Sequence, residues 1–173
     1  MKRLILMRHA KTEPWYQGID DESRALVARG HTDAALIAHA LVDYDWSPEL
    51  VLLSPARRTR ETWTAMQEYF PNAEKKIVEE LYLIGTRGLA DIVRSNEHAG
   101  SLMVIGHNPG MHDFACQITA AAGTLSRPAA LSVSQKMPTG AVALFESANE
   151  RAFNSEVFRL VDFIRPKTLR SDG

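Results

Sequence analysis

Three short runs of apolar residues constrain the fold of this chain more than any other feature of its sequence. They cover residues 4–7, 50–53 and 102–105, and none of them alternates with polar residues as a half-exposed strand would. Unbroken runs of this length are typical of strands that are buried on both faces, as in a parallel sheet. We therefore predict that these residues form the central strands of a mainly parallel sheet.

Stretches with helical character separate and follow these runs, at residues 32–42, 56–69, 89–94 and 111–121. When strands and helices alternate along a chain, the helices are expected to cover both faces of a parallel sheet. Two further strands are predicted at residues 141–145 and 157–163, the second ending before Pro166 because proline cannot donate to a β-ladder. The predicted fold class is α/β, a three-layer α/β/α sandwich with a mainly parallel central sheet.

The length of the chain, 173 residues, is close to the commonest domain size. No internal repeat and no long linker divides the sequence, so we expect one domain over residues 1–173. Residues 167–173 form a polar tail that we expect to be disordered.

The charge balance argues against two classes of partner. Lys and Arg together number 20 and Asp and Glu 21, so no basic excess favours nucleic acid or a membrane surface.

The N-terminal apolar run stops at Arg8, short of the roughly 7–15 apolar residues of a signal peptide. No run approaches the roughly 18 apolar residues of a membrane span. We expect a cytoplasmic protein that binds neither nucleic acid nor membrane.

Charged and polar residues follow each of the three buried strands. Arg8 and His9 follow the first strand, residues 54–58 follow the second with two arginines, and His107 follows the third. Ligands of open α/β sheets bind beyond the carboxyl ends of the strands, so these residues should meet at one edge. The arginine fork matches phosphate oxygens, and a neutral imidazole is a competent nucleophile. The set predicts phosphoryl transfer through a phosphohistidine.

The same segments resemble a known family. They read LMRHA at residues 6–10, SPARRTRET at residues 54–62 and VIGHNPG at residues 104–110. These sequences are similar to those of the histidine phosphatase superfamily, in particular its short SixA-like phosphohistidine phosphatase branch. The resemblance runs over nearly the whole chain and implies a phosphoglycerate mutase-like fold.

Carried over residue by residue, the resemblance implies a role for each position of the pocket. His9 would accept the phosphoryl group, and Arg8, Arg58 and His107 would bind its oxygens. Arg24 would be an auxiliary contact to the phosphate or the rest of the substrate. These assignments also imply that a phosphate or sulfate ion binds in the pocket.

The family spacing selects Arg58 and leaves Arg57 and Arg60 as surface charges. Larger phosphoglycerate mutase-like members carry an acidic proton donor in a long inserted segment, which this chain lacks. Glu80 and Asp21 are the candidate proton donors that remain.

We therefore expect a metal-independent phosphatase without a cofactor, acting on phosphohistidine in a protein such as a histidine-containing phosphotransfer domain. A phosphohistidine expels imidazole, which needs less acid assistance than an alkoxide, so a weakly furnished acid site fits this substrate. Two alternatives stay open. One is a small-molecule phosphomonoesterase or phosphomutase on the same scaffold, and the other is a non-catalytic phospho-binding module.

Overall fold

A six-stranded sheet forms the centre of the structure, a computed structural model that describes residues 1–147 and 153–171. Its strand order is β3-β2-β4-β1-β5-β6, and β5 runs opposite to the other five strands. This result confirms the predicted α/β fold with a mainly parallel sheet. The strands are β1 (Arg3–Arg8), β2 (Leu50–Leu53), β3 (Glu74–Ile77), β4 (Ser101–Gly106), β5 (Val142–Ser147) and β6 (Phe158–Ile164).

Helices connect and flank the strands. The α-helices are α1 (Ala28–Asp43), α2 (Arg57–Thr64), α3 (Thr86–Ser95), α4 (Gly110–Ala122), α5 (Arg127–Gln135) and α6 (Pro166–Ser171). Short 3-10 helices cover Asp21–Ser23, Gln67–Tyr69 and Glu79–Leu81. Within the described residues, none of the helices has the length and apolar character needed to cross a bilayer.

Apolar side chains of the central strands are buried alternately on the two faces of the sheet. Leu4 and Val104 belong to a cluster formed with α3, α4 and α5. Ile5 and Met103 belong to a second cluster on the opposite face, formed with α1 and α2. Both faces are therefore covered, which explains why the strand sequences show no polar alternation.

Strand β3 and helix α5 are absent from the sequence prediction. Strand β3 has the sequence EKKI, and all four residues are exposed at the sheet edge, so it carries no hydrophobic signal. Helix α5 follows Ser126, whose hydroxyl accepts a hydrogen bond from the main-chain N–H of Ala129 at 3.3 Å. That serine cap, followed by Pro128 in the first turn, is a recognisable helix start that the periodicity of the sequence does not reveal.

The C-terminal segment also differs from its prediction. Residues 166–171 form helix α6 rather than a disordered tail, and residues 172–173 lie outside the described part. Pro166 suits the first turn of α6. The main-chain N–H groups of a first turn have no partner within the helix, so a residue that lacks this group costs nothing there. Leu169 packs against the apolar cluster beside α1, which holds the segment in place.

The register of the strands brings their carboxyl ends together. Arg8 in β1 lies opposite Gly106 in β4, and Leu53 in β2 lies opposite Ile105. The residues that follow these three strands consequently emerge side by side at one edge of the sheet.

Candidate active site

The main chain at His9 is fixed by three neighbouring elements. Its N–H donates to the carbonyl of Gly106 at 3.1 Å, and its carbonyl accepts from the N–H of Gly140 at 2.9 Å. The next N–H, that of Ala10, donates to the hydroxyl of Thr62 in α2 at 3.0 Å. These bonds tie the residue to β4, to the loop before β5 and to α2, so all three elements fix the main chain that carries the imidazole.

The imidazole of His9 is buried and held in one tautomer. Its Nδ1 lies 2.9 Å from the carbonyl oxygen of Ala10. A carbonyl only accepts, so Nδ1 carries the proton and Nε2 keeps its lone pair. Burial, and then the nearby His107 and Arg58, lower the pKa of His9 to about 3 in spite of the hydrogen bond to Ala10, which raises it. The ring is therefore neutral at physiological pH, as a nitrogen nucleophile must be.

Arg58, in the first turn of α2, is almost completely buried, with 3% of its surface exposed. Its Nε donates to Nδ1 of His107 at 3.3 Å, and its Nη2 donates to Oδ2 of Asp21 at 2.9 Å. Its neighbours Arg57 and Arg60 are exposed, as the sequence predicts. Arg58, the arginine on the inward face of the helix, is thus the same arginine that the family spacing indicates.

The ring of His107 lies beside that of His9, with 5.3 Å between the ring centroids. Because Nδ1 of His107 accepts from Arg58, the neutral ring carries its proton on Nε2, which lies 2.7 Å from the hydroxyl of Ser54. Burial, followed by the charge of Arg58, lowers the pKa of His107 to about 4. Both ring nitrogens already have protein partners, so a bound phosphoryl oxygen would have to replace one of them.

Arg8, which is only partly buried, adds a second positive charge. Its Nη1 donates to the carbonyl of Met137 at 3.0 Å, while its buried Nε has no hydrogen-bond partner among the described residues. Burial and the nearby Arg58 lower the pKa of this guanidinium. An anion between the two arginines would relieve their repulsion and satisfy the unpaired N–H.

Asp21 joins the arginines from the 3-10 helix after the first loop. Its Oδ1 accepts from Arg24 at 2.8 Å, and its Oδ2 accepts from the hydroxyl of Tyr82 at 2.8 Å as well as from Arg58. Burial raises the pKa of Asp21, but the hydrogen bonds from Arg24 and Tyr82 and the charge of Arg58 outweigh it and lower the pKa to about 2. A carboxyl group with this pKa holds no proton to donate at neutral pH.

Arg24 lies on the far side of Asp21 from Arg58. Its Nη2 donates to the hydroxyl of Thr12 at 2.8 Å and to the carbonyl of Glu13 at 2.9 Å. Its guanidinium is therefore anchored to the loop that follows His9, and it lines the same cavity as that residue.

These side chains surround one cavity of about 570 Å³ at the carboxyl edge of the sheet. The structure thus brings together six of the seven predicted residues: Arg8, His9, Asp21, Arg24, Arg58 and His107. Glu80 is exposed and does not line the cavity. Among residues 1–147 and 153–171, no cluster of three His, Cys, Asp or Glu is placed to hold a metal ion.

Sequence reasoning misses several residues of the site. Glu13 lines the cavity, and Asn108 donates to the same Met137 carbonyl as Arg8, at 2.9 Å. Tyr82 contacts both Asp21 and the Arg58 guanidinium, whose carbon lies 5.9 Å from the ring centroid. Glu13 and Asn108 stand close in sequence to the two histidines, which is a usable signal. Tyr82 follows no buried strand and gives no such signal.

His9, a buried and neutral imidazole, lies with the buried Arg58 and the partly buried Arg8 at the carboxyl edge of an α/β sheet. The chain is therefore one of the proteins whose pocket suits an oxyanion such as phosphate. Residues 4–82 match the histidine phosphatase superfamily (branch 1). An uncharacterized protein of Mycobacterium tuberculosis (strain ATCC 25618 / H37Rv) is 31% identical over 148 residues, 84% of this chain and 90% of that protein. The chain belongs to the histidine phosphatase superfamily.

A second relative is an uncharacterized chloroplastic protein of Arabidopsis thaliana, 33% identical over 131 residues. That match covers 69% of this chain and 60% of the Arabidopsis protein, so the chain spans less than two thirds of that relative.

Solved structures show where in the superfamily the chain lies. A candidate phosphohistidine phosphatase SixA from Agrobacterium tumefaciens is 27% identical with a TM-score of 0.79, over 95% of this chain and 98% of that one. The protein histidine phosphatase SixA complexed with tungstate shares the fold, with 20% identity, a TM-score of 0.74 and coverage of 96% and 99%. Phosphoglycerate mutase from Plasmodium falciparum shares it at a TM-score of 0.58, with 21% identity over 92% and 93%. The chain is a SixA-like member with a phosphoglycerate mutase-like fold.

Proposed function

We propose that the protein hydrolyses phosphohistidine in a protein substrate, with His9 as the nucleophile. The observation that carries the proposal is the tautomer of His9. Its Nδ1 proton is bound by the Ala10 carbonyl, so the lone pair of Nε2 is available in a cavity that the arginines make positive. A phospho-binding module without activity has no need of such a nucleophile.

The reaction takes place in two steps. In the first, the Nε2 lone pair attacks phosphorus, and the bond from phosphorus to the substrate imidazole breaks with its electron pair on the departing nitrogen, which takes a proton from the acid. In the second, water attacks the phosphoryl group on His9, a proton returns to the acid, the phosphorus–Nε2 bond breaks, and inorganic phosphate leaves. The imidazole of His9 is then regenerated.

Fixed cations on this chain supply the charge that the transferring phosphoryl group needs. Arg8 and Arg58 both line the cavity, and the Nε–H of Arg8 has no partner in the part of the chain that the structure describes. Guanidinium groups that are already in position stabilise the equatorial oxygens without reorganisation. The proposed mechanism is therefore metal-independent, and activity is expected to survive exhaustive chelation. Loss of activity that one added metal restores would contradict it.

The structure favours a different proton donor from the two candidates that the sequence suggests. Asp21 is held by three donors, and Glu80 is exposed and does not line the cavity. Glu13 lines the cavity, and within the described residues only its Oε1 accepts a hydrogen bond, from the N–H of Ala25 at 3.0 Å. We assign the donor to Glu13, and its weak placement favours a leaving group that needs little acid assistance.

The likeness to the Agrobacterium SixA candidate supports a phosphohistidine substrate, and the proposed partner is a histidine-containing phosphotransfer domain in the cytoplasm. The phosphoglycerate mutase fold supports the alternative, a small phosphorylated molecule. Comparing kcat/KM for a phosphorylated transfer domain with that for sugar phosphates and aryl phosphates decides between them. A higher value for the small molecules would overturn the proposal.

Trapping the phosphoenzyme tests the nucleophile directly. Wild-type protein is mixed with labelled substrate and quenched in alkali, and the acid-labile phosphate is located by mass spectrometry. We expect label on His9, none in His9→Ala, and a reduced but measurable amount in His107→Ala, the matched control. Label on His107, or full turnover by His9→Ala, would refute the assignment.

A further inference from the structure

A second cavity, of about 450 Å³, adjoins the active site. The two cavities share Lys11 and Thr139, which line both. A ligand held at His9 therefore lies in a cavity that borders the second one. Its volume lies within the range of roughly 300–1,000 Å³ that is typical of small-ligand sites.

The wall of this second cavity is strongly basic, although the whole chain has a net charge of only −1. Among residues 1–147 and 153–171, Asp33 is the sole carboxylate on the wall. Opposed to it are six cationic side chains: Lys11, Arg29, Lys136, Arg165, Lys167 and Arg170. A concave surface of one sign focuses the electrostatic field and attracts counter-ions.

Most of these cations have no acidic partner in the described part of the chain. The buried carboxylate of Asp33 pairs with Arg170 at 3.2 Å and with Arg29 at 3.6 Å. Within the described residues, no carboxylate pairs with the remaining four, and the Nε of Arg165 is buried without a hydrogen-bond partner. Positive charge that is collected in a cavity and left uncompensated is the arrangement expected of an anion site.

We propose that this basic cavity binds a second anionic group, a phosphate or a carboxylate, of the substrate whose phosphoryl group lies at His9. The inference rests on the proposed function for the first group, and it narrows the substrate class to molecules with two separated anionic groups. Lys11, on the wall shared by the cavities, lies between the two groups.

The test uses Lys136→Glu/Lys167→Glu, a double variant at two exposed residues that belong only to the basic cavity. Lys75→Glu/Lys76→Glu is the matched control, because it makes the same change of charge on exposed residues of β3, at the opposite edge of the sheet from β6. Circular dichroism checks that both variants fold.

Two substrate pairs separate the sources of the second group. The first compares alkanediol bisphosphates of increasing chain length with the matching monophosphates. The second compares a phosphohistidine peptide that carries aspartates with the same peptide carrying asparagines. In the wild type and in the control variant, we expect the KM of the doubly anionic substrate to be about tenfold lower than that of its matched partner in at least one pair. The Lys136→Glu/Lys167→Glu variant should lose that difference while kcat stays unchanged.

If the KM difference is lost in the bisphosphate pair, the second anionic group belongs to a small molecule. If it is lost in the peptide pair, the second anionic group is an acidic side chain of a protein. If neither pair shows a KM difference that depends on the variant, the inference is overturned.

Titration with inorganic sulfate, followed by NMR of the arginine Nε–H groups, distinguishes failure of this inference from failure of the proposed function. Two sulfate sites in the wild type and one in Lys136→Glu/Lys167→Glu are expected even if no substrate is hydrolysed. A single site in both proteins would remove the basis of the inference.

Discussion

Neighbouring arginines at the start of α2 differ sharply in environment. Arg58 is buried against His107, while Arg57 is exposed and pairs with Glu61 at 2.6 Å. We expect Arg58→Ala to lower kcat/KM by about 10²–10³-fold, the scale for losing one donor to a developing negative charge. Arg57→Ala, its matched control, should change it less than about twofold, because exposed ion pairs contribute little. Steady-state kinetics with equal losses in both variants would exclude a special role for Arg58.

The three carboxylates considered as proton donors are distinguished by their dependence on the leaving group. Glu13→Gln should slow hydrolysis of alkyl phosphates more than that of aryl phosphates, because a poor leaving group needs the acid more. Asp21→Asn should slow the hydrolysis of alkyl and aryl phosphates by the same factor, because it disturbs Arg58 and Arg24 and not proton transfer. Glu80→Gln is the control without effect. A leaving-group dependence in Asp21→Asn alone would return the role of acid to Asp21.

At the residue scale, the sequence predicts the centre of the site and misses its rim. Arg8 ends a buried strand, and His9 and His107 directly follow one, so the topology of a parallel sheet is enough to bring them together. The hydrogen bond from Tyr82 to Asp21 joins residues 61 positions apart, through a loop whose path no local pattern determines. Long-range contacts of this kind require the folded chain.

Among the elements of the fold, helix α4 approaches the chain before α3 very closely, at Gly110. A Cβ atom there would lie 1.9 Å from the main-chain oxygen of Ile84. We expect Gly110→Ala to destabilise the protein by about 1–3 kcal/mol, the usual cost of overpacking, and to lower activity because α4 follows the loop that holds His107. Denaturant unfolding and kcat/KM provide the measurements.

Gly85→Ala is the matched control for that substitution. Nothing lies within 4 Å of a Cβ atom at Gly85, so the same added methyl group meets open space there. Equal destabilisation by both substitutions would show that the close approach at Gly110 is not the cause.

Apolar elements are predicted from the sequence far better than polar ones. The run at residues 50–53 is β2 with the same bounds, and the predicted helix at residues 111–121 is α4 with one residue added at each end. The helix predicted at residues 56–69 instead ends at Thr64, and a separate 3-10 helix covers Gln67–Tyr69. Periodicity detects burial, and it does not detect a break in main-chain hydrogen bonding within a buried segment.

For the molecule as a whole, the two buried histidines make stability depend on pH. Burial lowers the pKa of His9 to about 3 and that of His107 to about 4, while an unfolded histidine titrates near 6.5. Below pH ~6.5 the unfolded chain binds protons that the folded protein does not, so stability falls as the pH is lowered toward 4. Above that pH these residues contribute no pH dependence.

The expected size of this effect is about 2 kcal/mol for each histidine between pH 7.5 and pH 5. Urea unfolding of the wild type at the two pH values measures it. His9→Gln/His107→Gln is the comparison, because glutamine has no proton to bind in this range. If the double variant loses as much stability as the wild type, the two rings do not stay neutral in the folded protein.

The exposed strand β3 has a consequence for how copies of this protein meet one another. Its residues Glu74, Lys75 and Lys76 place charges along one margin of the sheet, where unpaired main-chain groups would otherwise invite a strand from a second molecule. At the other margin, the main-chain N–H of Leu125 donates to the carbonyl of Leu160 in β6 at 2.8 Å, which occupies part of that border. A sheet protected in this way at both margins is poorly suited to intermolecular β-pairing, so crowded or concentrated solutions of the folded protein should be slow to form fibrils.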